Sequence, residues 1–144
     1  MQNTFRKILG GAISLCVGVA AGVAVLFVYR FSVEREPLDA ETLMAAIGGP
    51  LEIIGGIAFP IWVIILLPLY MLLPRDSLFW RIDVCTLLGT LAGASTSFLI
   101  IVFMGGFDSV LALWMCILAG AVTSGVTCCC GALTVNYFDR TSAT

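Results

Sequence analysis

The polar and apolar positions of this chain do not alternate; they come in blocks. Four long runs without a charged residue, Ile8 to Tyr29, Ile53 to Leu73, Val84 to Met104 and Val110 to Val135, are separated by short charged stretches. Each run reaches the roughly 20 residues that a helix needs to cross about 30 Å of hydrocarbon. A membrane β-barrel would instead show segments of about 10 residues with alternating polarity. The pattern predicts an all-α protein: one four-helix transmembrane domain over residues 1–144, folded as a compact antiparallel bundle, with spans at about 8–29, 53–73, 84–104 and 110–135. Arg6 and Lys7 before the first run resemble the start of a signal peptide. The run is longer than the roughly 7–15 residues of a signal core, so a retained span is expected.

Between the first two runs, PLDAETLMAAIGG reads as a short separate helix. Pro37 suits its start and Gly48–Gly49 its stop. Ala40, Leu43, Met44 and Ile47 give it one apolar face, so it is expected to lie along the outer membrane surface. A new helix would then begin at Pro50, with Glu52 in its first turn at the outer interface, complementing the positive helix end. A second reading of the same residues puts Gly48, Glu52, Gly56 and Pro60 on one helical face lining a crevice, because an intramembrane carboxylate is a functional candidate by default.

Composition agrees with the blocks: 60% of the 144 residues are hydrophobic and only 11% charged, where a soluble domain carries about a quarter. The basic residues orient the chain. With both termini in the cytoplasm, Arg6, Lys7, Arg75, Arg81 and Arg140 lie inside and only Arg30 and Arg35 outside. A plasma or bacterial inner membrane is the expected location. Tyr29, Phe31, Tyr70, Phe79, Trp80, Tyr137 and Phe138 fall at the expected interfaces.

In lipid, helices associate through close backbone approach and hydrogen bonds, which favours small residues four apart. Gly10, Ser14, Gly18 and Gly22 form such a row in the first span, Gly89 and Gly93 in the third, and Gly120 and Gly125 contribute to one in the fourth. The segments LAGASTS (91–97) and LAGAVTS (118–124) differ at one position and fall in the middle of oppositely directed spans, so they are expected to meet. They bring hydroxyls at Ser95, Thr96, Ser97, Thr123, Ser124 and Thr127, which can bond across helices, bond back to their own carbonyls, or line a narrow hydrated path. Pro60 and Pro68 are expected to distort the second span.

The candidate chemistry is sparse. There is no histidine and one lysine, and no zinc, Walker or nucleophile-elbow motif. The six cysteines show no CxxC spacing, and Cys128 to Cys130 point about 100° apart on a helix, so they cannot together hold one ion. They read as packing residues. Asp108 is placed to cap the fourth helix. A net charge of −2 without a basic patch argues against nucleic-acid binding. No cofactor, metal or catalytic set is expected. The length and span count are shared with several small four-helix membrane families, but the chain lacks the first-span glutamate of small multidrug transporters and the cysteine-bridged outer loop of tetraspanins, and no residues carry a likeness to four-span toxin-immunity proteins. The expected role is therefore non-enzymatic: packing against itself or a membrane partner, as in structural, assembly or immunity-type accessory proteins. The alternative is a small oligomeric channel or transporter using Glu52 and the Ser/Thr cluster.

Overall fold

The computed structural model describes residues 2–34, 39–73, 77–103 and 109–142, all but a few of them helical and none in a strand. Five α-helices follow in order: α1 (Gln2–Tyr29), α2 (Ala40–Ile61), α3 (Leu67–Leu72), α4 (Ile82–Phe103) and α5 (Val110–Ser142). Arg30–Glu34 forms a π-turn that ends α1, Trp62–Leu66 a π-turn joining α2 to α3, and Leu78–Trp80 a 3₁₀ turn before α4. Four stretches are long and apolar enough to cross a membrane: Ile8–Ser32, Ala40–Leu69, Ile82–Phe103 and Val110–Tyr137.

The second stretch begins thirteen residues before the expected Ile53. The segment expected to be a separate short helix is the first part of α2, which passes through Gly48, Gly49 and Pro50 unbroken. The physical reason is its start. Asp39 is extended at φ −101° and ψ 166°, and its side chain accepts a hydrogen bond from the Thr42 backbone N–H at 2.7 Å. That satisfies one of the orphan donors of the first turn. Once the helix is running, each glycine costs only about 1 kcal/mol and Pro50 removes one hydrogen bond, neither of which must end it. Pro50 is therefore an interior residue and Glu52 lies in the fourth turn, not the first. Pro37 lies outside the described residues.

Pro60 is likewise absorbed within α2, whereas the backbone widens just before Pro68. A proline ring has no N–H and crowds the carbonyl four residues back, here that of Ile64. The π-turn answers this: the Leu67 N–H bonds to the Trp62 carbonyl, five residues back, as in the single-turn π-bulges found within α-helices.

The helices are unequally covered. Only 6% of the most apolar window of the second span is buried, against 33% for the first and 28% for the fourth. The tightest pairings are α4 with α5 and α1 with α5, while α2 rests mainly on α1. At one end Cys85, Cys128 and Ala132 form a small buried cluster, with Leu66 and Phe79 packed against it. Trp80 is buried at 4% exposure and Tyr29 at 9%, so these two aromatics pack against the protein. Trp80 meets Phe79 edge-on at 5.5 Å, and its carbonyl accepts from the Asn136 amide at 3.4 Å.

Candidate functional site

α5 is the helix on which α1 and α4 are assembled, and small residues set how closely they approach. A Cβ at Gly18 would fall on the Thr127 hydroxyl and within 2.5 Å of the Thr123 carbonyl; one at Gly22 would fall on the Thr123 hydroxyl. On the other side of α5, a Cβ at Gly89 would stand 2.8 Å from the Ser124 carbonyl, and one at Gly93 would fall on the Gly120 carbonyl. Gly120 receives Ser97, and Gly125 receives Thr90. Numbers on α1 and on α4 rise as those on α5 fall. LAGASTS and LAGAVTS do meet, through Gly93, Ser97, Gly120 and Ser124. Ser14, in the same row as Gly18, is 1% exposed and donates to the Gly10 carbonyl at 2.8 Å.

The hydroxyls do not gather around one space. Thr123 and Thr127 are buried on the α1 side of α5 and donate to the Ala119 and Thr123 carbonyls, both at 2.7 Å. Thr96 donates to the Ala92 carbonyl at 2.8 Å, again within its own helix. Ser97 and Ser124 fill the α4–α5 contact, and Ser95 is exposed. Of the uses open to these side chains, back-bonding is the one adopted by the threonines. It lets a hydroxyl pack against a glycine with its proton already placed.

The glycines of α2 behave differently. A Cβ at Gly48, Gly49, Gly55 or Gly56 would meet nothing within 4 Å. Glu52 lies among them, exposed and without a hydrogen-bond or ion-pair partner among the described residues. The Trp62 ring of the same span lies 3.0 Å from where a Gly11 Cβ would stand. Glu52 falls near the middle of the apolar stretch Ala40–Leu69, which begins at Ala40 and not at the expected Ile53.

Among the described residues, two buried side-chain polar atoms have no hydrogen-bond partner: the Trp62 indole N–H and the Thr86 hydroxyl. Nothing in the sequence singled them out. All six cysteines are free, and the Cys85 thiol donates to the Cys128 carbonyl at 3.4 Å. Among the described residues no three His, Cys, Asp or Glu side chains are grouped to hold a metal ion. The hydrogen bond from Thr42 holds the Asp39 carboxyl below its ordinary value of 3.8. Asp108, Arg75 and Asp76 lie outside the described residues; the Ser109 carbonyl accepts the first helical bond of α5, from the Leu113 N–H at 3.1 Å. No family model matches this chain, and no curated protein or solved structure matches it either.

Proposed function

We infer that this is a non-enzymatic integral membrane protein that works by packing one of its helices against a helix of another membrane protein. The four apolar helices form an antiparallel bundle with both termini in the cytoplasm of a plasma or bacterial inner membrane, the orientation that leaves only Arg30 and Arg35 outside. One observation carries the reading. Gly11, Gly18 and Gly22 of α1, Gly89 and Gly93 of α4 and Gly120 and Gly125 of α5 are occupied by neighbours within the chain, whereas Gly48, Gly49, Gly55 and Gly56 of α2 meet nothing. Helices in lipid associate by such small-residue faces, and α2 keeps one free. Gly18 and Gly22 belong to the fold; Gly49 and Gly56 belong to the docking face.

The test follows from that division. Gly49→Leu and Gly56→Leu should abolish co-purification of the partner from native membranes while the bundle keeps its helicity. Gly18→Leu should disrupt the bundle itself. Co-purification that survives both α2 substitutions would remove the reading. A reporter fused to the C-terminus should be active only in the cytoplasm.

An oligomeric path for an ion or small solute is the second reading, supported by the exposed Glu52 within the apolar stretch Ala40–Leu69. The threonines count against it, since their hydroxyls are packed and bonded within their own helix. Cation flux into vesicles that is lost in Glu52→Gln would favour it.

A further inference from the structure

The docking role leaves open what kind of helix α2 receives, and Glu52 supplies the missing specification. We propose that the partner of α2 is a transmembrane helix of a different protein, carrying a lysine or arginine that pairs with Glu52 in the middle of the membrane. This rests on the reading of α2 as a docking face.

Three observations meet here. Gly48 and Gly56 lie one turn to either side of Glu52 on the same face, with open space where side chains would be, so a second backbone can come close. Glu52 stands near the centre of the apolar stretch Ala40–Leu69. A carboxylate at that depth is costly to expose to hydrocarbon and is ordinarily paired. Among the described residues Glu52 has no hydrogen-bond or ion-pair partner. Of the seven basic residues, Arg6, Lys7, Arg35, Arg75, Arg81 and Arg140 lie outside the four apolar stretches and Arg30 lies at the end of the first, so a second copy would bring no basic residue to the middle of a span. Two α2 helices crossing at their glycines would instead bring two Glu52 carboxylates together. Charge complementarity thus selects a foreign helix with a basic residue at mid-depth. Ile53 and Phe59, 65% and 57% exposed, stand beside the glycines and provide apolar contact around the pair.

The experiment uses the full chain in phosphatidylcholine vesicles, with a donor dye on its C-terminus, and synthetic Leu/Ala membrane-spanning peptides carrying an acceptor dye. One peptide has a central Lys, one a central Leu and one a central Glu. Energy transfer should show the Lys peptide binding at least tenfold more tightly than the Leu peptide. Glu52→Gln should erase that preference, and Glu52→Lys should transfer it to the Glu peptide. Equal binding of the Lys and Leu peptides overturns the proposal, as does a preference that survives Glu52→Gln. It is also overturned if differently labelled copies of the chain associate with each other in a manner abolished by Gly56→Leu, which identifies a second copy as the occupant. Should the Lys preference be absent while Gly56→Leu weakens both peptides, the charge pairing fails and the docking face stands. If Gly56→Leu also has no effect, both fall.

Discussion

A glycine in this protein has two different meanings, and the neighbouring atoms decide which. At Gly18 an added methyl would meet the Thr127 side chain and the Thr123 carbonyl, and the carbonyl belongs to a helix backbone that cannot yield locally. Gly18→Ala should therefore cost about 1–3 kcal/mol, the range for overpacking a close contact. At Gly55 the same change meets open space, and removing a flexible glycine from a helix interior should stabilise by about 0.5–1 kcal/mol. Reversible unfolding in mixed detergent measures both; equal effects at the two sites would contradict the packing described. Asp39 acts through charge. Its carboxyl is held below 3.8 by the bond from Thr42. A lowered folded value means the ionised cap stabilises the start of α2 above the unfolded value, and the contribution disappears as the pH falls through the folded one. Hydrogen exchange at the Thr42 amide should accelerate, relative to amides in mid-helix, as the pH is taken down through that window. Asp39→Ala should show the faster relative exchange throughout and no such transition.

At the scale of elements, the span containing Pro60 and Pro68 shows what sequence pattern can and cannot forecast. A distortion near Pro68 was expected from its missing N–H, and the π-turn Trp62–Leu66 is the form it takes. The turn changes the direction of the side chains beyond Ile61, and it accompanies Trp62 seated on Gly11 and Leu66 packed against the Cys85 cluster. Trp62 is 6% exposed, yet its indole N–H has no partner. An unmet buried donor costs about 1–3 kcal/mol. Trp62→Phe, which removes the donor and keeps an aromatic ring, should leave stability within about 1 kcal/mol of the parent, the lost area being offset by the removed penalty. Trp62→Ala should cost about 3–5 kcal/mol. A large loss in Trp62→Phe would mean that the N–H is satisfied in the membrane, by lipid or water.

At the scale of the molecule, α1, α4 and α5 form a tightly held unit and α2, in the second span, is loosely attached to it. Stability within a fold tracks local packing. Amide exchange in detergent should report a lower opening free energy for residues 48–58 than for 118–128, and binding of the partner should raise the former selectively. Uniform protection across the four spans would show α2 to be held more firmly than its contacts indicate.

The number of spans and their all-helical character were legible in the sequence, since an uncharged run of about 20 residues has few structural outlets in a membrane. So were the small-residue rows and the meeting of the two near-identical segments, because spacing by four puts residues on one helical face. What spacing does not contain is the identity of the neighbour. Gly22 and Gly56 look alike along the chain; only the tertiary structure sets one against Thr123 and leaves the other open. The helix start at Asp39 was hidden by stronger local signals at Gly48, Gly49 and Pro50, which an established helix overrides at a cost of a few kcal/mol at most. The seat of Trp62 against Gly11 is a long-range contact that no local pattern encodes.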